Sequence, residues 1–286
     1  MTACSSVSHL QKVWLRPPAN PSQDELDQAN WEPIVIRTLH DEFHHYHQLL
    51  SDLHIDVVLL PPAQNPDGIY LYDTMLHTKW GVIVFQSPKK NRIPESEEIL
   101  AYLQEHNISI LGRIGGSGTI DGGDVCWLSP TCLVVGISWR SNREGAHQLR
   151  YMLSPFGIEV RMYDIPNLFG SQVCLHLMSL ISPLRPDLAL VYPQALPTRL
   201  YQDLLSDGYT LIAVPEEEWD IPNQPSRLAT NVLSLGQNRA ISVAGNPITA
   251  QRIREQGFTL FELDAPNLCN AGTGGPTCLT VAVYRA

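Results

Sequence analysis

Short apolar runs and one-sided helical stripes follow one another along this chain in a recurring order. Lys12-Val13-Trp14-Leu15-Arg16 reads as a strand; Leu39, Phe43, Tyr46, Leu50 and Leu53 fall on one face of a helix; His54 to Leu60 reads as the strand that closes a first unit. A second unit has strands over Ile69 to Leu76 and Trp80 to Phe85, a helix over Glu97 to His106 and a strand over Ile108 to Leu111. The third repeats this with Asp124 to Leu128, Thr131 to Ile137, a helix over Asn142 to Leu153 and Ile158 to Tyr163. The fourth runs through Cys174 to Ile181, Leu188 to Val191, a helix over Pro197 to Ser206 and Thr210 to Val214. The fifth is Thr230 to Leu235, Ala240 to Val243, a helix over Thr249 to Gln256 and Thr259 to Leu263. Cys278 to Tyr284 is then a strand left over, and it supplies the opening strand that the first unit lacks. A ring closed by the two ends of its own chain leaves no sheet edge open at the join.

Polar residues interrupt this pattern at a near-constant interval. Asp67, Asp121, His176, Asn231 and Cys278 stand 54, 55, 55 and 47 residues apart, each opening an apolar stretch. Regular spacing of this kind marks one supersecondary unit used several times. If the units surround an axis, their opening residues converge, bringing a thiol, an imidazole and carboxylates into one pocket.

Composition narrows the field. A chain of 286 residues, 44% hydrophobic and 17% charged, can bury a large core as one big domain or two smaller ones, and the unbroken run of units favours a single domain over residues 1–286. A formal net charge of −10 gives no electrostatic reason to bind nucleic acid or an anionic membrane and suits a small cationic partner. The stretch Met1 to His9 lacks the charged start and apolar core of a signal peptide, and no apolar run approaches the roughly 20 residues that span a bilayer. The expectation is a cytoplasmic protein whose six cysteines are free thiols.

Five motifs give the pattern a specific character: Asn65-Pro66-Asp67-Gly68-Ile69-Tyr70-Leu71-Tyr72-Asp73, Thr119-Ile120-Asp121-Gly122-Gly123-Asp124-Val125, Val135 to Asn142, Leu175-His176-Leu177-Met178-Ser179, and Gly274-Gly275-Pro276-Thr277-Cys278. In order and spacing they resemble the pentein superfamily of guanidine-modifying enzymes, and within it most closely the dimethylarginine dimethylaminohydrolase family, over nearly the whole chain. The resemblance implies a five-bladed α/β propeller of ββαβ units with pseudo-fivefold symmetry.

It also implies roles. Cys278 attacks the guanidinium carbon, His176 protonates the departing amine, and Asp121 orients His176 and binds a guanidinium nitrogen. Asp73 grips the guanidinium, Asp67 takes the substrate's α-amino group, and Arg92, 19 residues after Asp73, joins Arg140 in clamping the α-carboxylate. Where many relatives have Glu-Asp, this chain has Tyr72-Asp73, so one acidic group near the guanidinium is lost.

The chemistry suits these residue types. A guanidinium is always protonated near neutral pH, so its carbon is a poor electrophile until carboxylates hold it and a thiolate of depressed pKa attacks. The implied activity is hydrolysis of arginine, an N-substituted arginine or another ω-guanidino amino acid, giving a ureido product and an amine or ammonia, with no cofactor and no metal. An amidinotransferase passing the same intermediate to an amine is the alternative. A non-catalytic binder on this fold would not need the Cys, His and Asp set. A homodimer is compatible with the resemblance. His40, His44 and His47 have the spacing of metal ligands on a helix but read as its solvated side. The segment Gly112 to Gly123 lacks the Lys-Ser/Thr of a phosphate loop, Glu216-Glu217-Glu218 reads as a solvated run, and Cys4, Cys126, Cys132, Cys174 and Cys269 read as structural or incidental.

Overall fold

A computed structural model of the protein describes residues 4–170, 174–219 and 227–286. Strand β1 (Leu10–Leu15) leads through α1 (Gln23–Ala29) and α2 (Ile36–Asp52) to β2 (Asp56–Leu59). The second unit is β3 (Met75–Thr78), β4 (Gly81–Val84), α3 (Glu95–Glu105) and β5 (Ile110–Arg113). The third is β6 (Val125–Ser129), β7 (Cys132–Ile137), α4 (Arg143–Leu153) and β8 (Glu159–Asp164). The fourth is β9 (Ile181–Arg185), β10 (Leu188–Val191), α5 (Thr198–Ser206) and β11 (Thr210–Ala213). The fifth is β12 (Leu233–Gly236), β13 (Arg239–Val243), α6 (Pro247–Glu255) and β14 (Thr259–Leu263), followed by the short α7 (Pro276–Leu279) and β15 (Val281–Arg285).

These strands make five separate three-stranded sheets. In each, an antiparallel pair is extended by a parallel strand reached through a helix. The ring closes as the sequence suggests: β15 pairs antiparallel with β1, which pairs parallel with β2. Buried apolar clusters join neighbouring blades in turn. Trp14 and Val281 pack with Met75 and Val82; Leu76 and Ile83 with Val125 and Leu133; Val134 with Leu190, and that cluster with Ala240; Leu235 and Ile241 with Leu10 and Val13. Each blade buries one sheet face against the next, the packing of a propeller.

The sequence reading placed several opening strands too early. Asp67 lies in a 3₁₀ turn over Pro66–Ile69 and Asp73 in a second over Leu71–Thr74, so the strand expected from Ile69 begins only at Met75. His176 precedes a 3₁₀ turn over Leu177–Ser179, and the strand expected from Cys174 begins at Ile181. Cys278 sits in α7, and the last strand begins at Val281. A buried 3₁₀ turn presents apolar side chains in a run as a strand does, so hydropathy alone does not separate them.

Helix α2 buries Leu39, Phe43, Tyr46 and Leu50, leaving His44 exposed on the other side. Glu218, expected in a solvated run, is instead buried: its carboxylate accepts from the Ile248 and Thr249 amides at 2.7 and 2.8 Å, capping the first turn of α6. Among the described residues no helix is long and apolar enough to cross a membrane.

Candidate active site

The turns that precede the opening strands carry the polar residues to one place. Asp121 comes just before the 3₁₀ turn Gly122–Asp124, whose glycines let three chain segments meet. A Cβ on Gly123 would lie 2.7 Å from His176 Nδ1 and 3.2 Å from Asp73 Oδ1, so only glycine lets this backbone pass between them. The Gly123 amide donates to Asp73 Oδ1 at 2.7 Å.

Cys278 is set on the opposite side by α7. Tyr46, fully buried in α2, donates to the Pro276 carbonyl at 3.3 Å and shares a 2.6 Å bond with Thr280 Oγ1, tying both ends of α7 to that helix. Asn231 Nδ2 donates to Cys278 Sγ at 3.0 Å while Asn231 Oδ1 accepts the Thr277 amide at 3.0 Å. The position 47 residues before the cysteine therefore holds the thiol directly. Its role was not assigned from sequence, although the repeat spacing had marked it.

His176 Nε2 lies 3.5 Å from Asp121 Oδ2, and Arg140 reaches the same oxygen at 3.2 Å. Asp121 Oδ1 is buried with no partner. An acceptor left open in a fully buried carboxylate suits a ligand's N–H. Burial raises the pKa of Asp121, but His176, Arg92 and Arg140 outweigh it and bring the group down to about 2. Asp124 takes Ser138 Oγ at 2.5 Å and the Leu177 amide at 2.9 Å; burial pushes it up to about 6. Burial disfavours the His176 cation, yet Cys174, Asp124 and Asp121 together lift its pKa well above the ordinary imidazole value. The histidine is thus poised as a proton donor.

One expectation needs correction, and two site residues hold partners that the sequence did not suggest. A depressed thiol pKa was expected for Cys278. Burial and the negative Asp73 instead push it up to about 11, against the opposing influence of Asn231 and His176. Without a bound cation the thiol stays protonated.

Arg92, expected to clamp a carboxylate, is buried and turns part of its guanidinium onto protein groups. It donates to Asp73 Oδ2 at 2.6 Å, to Glu95 Oε2 at 2.9 Å and to the Tyr70 carbonyl at 3.0 Å, and is 3% exposed. Its position is that of a brace for Asp73. Asp67, expected to be open to an α-amino group, is occupied by Lys89 Nζ and Asn91 Nδ2, each at 2.6 Å, and by Trp31 Nε1 at 3.0 Å. Sequence reasoning missed Lys89, Asn91, Glu95 and Trp31, which come from connecting segments and the start of α3.

Tyr72, the departure from Glu, turns away and donates to the Val125 carbonyl at 2.8 Å. Two carboxylates, Asp73 and Asp121, therefore face the thiol and imidazole. Among the described residues no group of three or more His, Cys, Asp or Glu side chains is placed to hold a metal ion.

Five three-stranded sheets in a ring, with a thiol, an imidazole and two buried carboxylates at the turns, define a pentein, the fold of guanidine-modifying enzymes. The family profile described as arginine deiminase matches residues 22–196 and 194–285, and the chain belongs to that family. The N(G),N(G)-dimethylarginine dimethylaminohydrolase of Pseudomonas aeruginosa is 25% identical over 268 residues, covering 93% of this chain and 96% of that protein. A citrulline complex of the Pseudomonas aeruginosa enzyme, in a cysteine-to-serine mutant, superposes with a TM-score of 0.78 at 23% identity, over 96% of this chain and 99% of that one. The amidinotransferase SxtG of Microseira wollei gives 0.79 at 16% identity, over 99% and 97% of the two chains.

Proposed function

We propose that this protein hydrolyses the guanidinium group of arginine, an N-substituted arginine or another ω-guanidino acid, through an amidino group carried on Cys278. The observation that carries this reading is the pairing of a protonated thiol, with a pKa near 11, with two buried carboxylates, one of which has an unpartnered oxygen. At pH 7 such a thiol is ionised in roughly one molecule in 10⁴. A guanidinium held between Asp73 and Asp121 brings a positive charge beside the sulfur, offsetting the Asp73 charge that helps keep the thiol protonated. Substrate thereby creates its own nucleophile.

The steps balance as follows. The Cys278 thiol gives up its proton to solvent as the guanidinium binds, to regain one when the thiolate is released at the end, and its sulfur bonds to the guanidinium carbon. His176, a cation while Asp121 and Asp124 are ionised, gives a proton to the leaving nitrogen as the C–N bond breaks. An amidino thioether remains on Cys278. The now neutral His176 takes a proton from water, the oxygen attacks the same carbon, and the C–S bond breaks to release a ureido product. Asp121 stays ionised throughout, consistent with its low pKa, and orients the imidazole.

A screen of guanidino compounds by mass spectrometry, run with a metal chelator present, tests the reading. The expected result is a ureido product with one equivalent of amine or ammonia. Product formed only after metal is restored, or amidino transfer to added amines outpacing hydrolysis, overturns it.

A further inference from the structure

A cavity of about 60 Å³ lies where the opening strands of all five blades meet, with β3, β6, β9, β12 and β15 each supplying part of its wall. Tyr72 and Thr277 also line it, and they are the chain neighbours of Asp73 and Cys278. None of Asp73, Asp121, His176 and Cys278 does, so the cavity backs onto the active site without belonging to it. Ser6, His77 and Val283 in its wall are half-buried, which leaves it open to water.

Arg285, the last residue of β15, brings a charge into this space while only 4% exposed. Its Nη1 donates to the Ser8 carbonyl at 2.6 Å and the Ser234 carbonyl at 3.0 Å. Among the described residues its other N–H groups find no acceptor, and Nε is buried without a partner. Burial lowers its pKa only to about 10, so at pH 7 the group is still a cation. The ionisable neighbour acting on it is Tyr72, a neutral phenol whose hydroxyl is turned onto the Val125 carbonyl. No Asp or Glu lines the cavity. Position 72, acidic in many of the proteins the sequence resembles, could have carried an internal counterion here and does not.

A buried charge is normally paired, because leaving it unpaired is strongly destabilising. Water can solvate Arg285 but cannot neutralise it. A water molecule needs roughly 10–15 Å³ on this measure, so the cavity holds a few waters or one small ion and excludes a nucleotide or a sugar phosphate.

We propose that this axial cavity is a binding site for one small monovalent anion, a halide or a carboxylate the size of formate, held by Arg285. Thr277 Oγ1 and His77 Nδ1, buried without partners on residues of the same wall, are the neutral polar atoms nearest in kind to complete its shell. The inference is independent of the reaction at Cys278.

Two measurements test it. Crystals of the unaltered protein are soaked in bromide, and anomalous scattering locates the ion; a peak in the cavity within hydrogen-bonding reach of Arg285 is expected. Bromide at surface sites with none in the cavity overturns the proposal, and this arm needs no variant to fold. In solution, thermal unfolding is followed as chloride or formate replaces gluconate, which is too large for the cavity, at constant ionic strength. At a hundredfold excess over the dissociation constant the midpoint should rise by roughly 3–8 °C. The rise should vanish in Arg285→Met, which removes the cation, and in Tyr72→Glu, which supplies a carboxylate from within. No rise in the unaltered protein, or an equal rise in a folded form of either variant, marks a general salt effect and overturns the assignment.

Discussion

The two ends of the site contrast sharply. At the inner end, Asp121 keeps a buried oxygen unpartnered, and the Cys278 thiol is held by Asn231 and the Gly275 backbone. At the outer end, Asp67 has three donors and Arg92 is turned onto Asp73, Glu95 and the Tyr70 carbonyl. Of these carboxylates Asp121 keeps an oxygen open, whereas both Asp67 oxygens are taken. The comparison teaches that a family motif fixes where a carboxylate stands, while its neighbours decide whether it is available.

Four substitutions break or sharpen this contrast. Cys278→Ser has the largest expected effect: turnover falls on the order of 10⁴-fold or more, because a hydroxyl cannot supply a comparable anion even beside a cation. Steady-state product formation measures it, with near-native unfolding by denaturant as control. Arg92→Ala comes next and acts on stability. It strands Asp73 and Glu95, at 6% and 2% exposure, without their shared cation, and a loss of about 3–5 kcal/mol is expected in urea unfolding. A fully stable Arg92→Ala protein with a raised KM would restore the carboxylate-clamp role.

Arg140→Ala, at the partly exposed boundary between the ends, is expected to lower kcat/KM for a carboxylate-bearing guanidine by about ten- to a hundred-fold, with much less change for agmatine. Equal losses for both would place Arg140 wholly in the service of Asp121. The smallest effect is on the thiol itself. With its pKa near 11, alkylation of Cys278 by iodoacetamide in the free enzyme should rise about tenfold per pH unit from 7 to 10 without a plateau. Asn231→Ala, which removes the bond that opposes the upward shift, should slow it several-fold at a given pH. A plateau near pH 8 would contradict the raised pKa.

The same contrast explains what the sequence made legible. Asp67, Asp121, His176, Asn231 and Cys278 stood out because the fold repeats, and in each unit the turn before the opening strand is the place where a polar residue interrupts an apolar run. The five-blade ring and the closure of β15 on β1 followed from the same rhythm. The turns themselves did not: Ile69, Tyr70 and Leu71 are buried in consecutive 3₁₀ turns, and a contiguous buried run looks like a strand. The outer end was illegible for another reason. Lys89, Asn91 and Arg92 lie in and beside a single 3₁₀ turn between β4 and α3, in a stretch Pro88-Lys89-Lys90-Asn91-Arg92 that carries no periodicity and from which the resemblance picks out Arg92 alone. Nothing in its composition reveals that one of its two lysines turns inward onto Asp67. The Cys278 thiol failed in the same way, since its pKa depends on burial and on Asp73, which lies 205 residues earlier in the chain.

The central claim is a covalent amidino group on Cys278, and the most direct measurement is the mass of the intact protein after mixing with a guanidino substrate and quenching in acid within one turnover. The expected result is a single added amidino group, mapped by peptide sequencing to the segment containing Cys278 and absent from Cys278→Ser. An adduct on Cys174 or Cys269, or rapid turnover with no adduct at any quench time, would contradict the account.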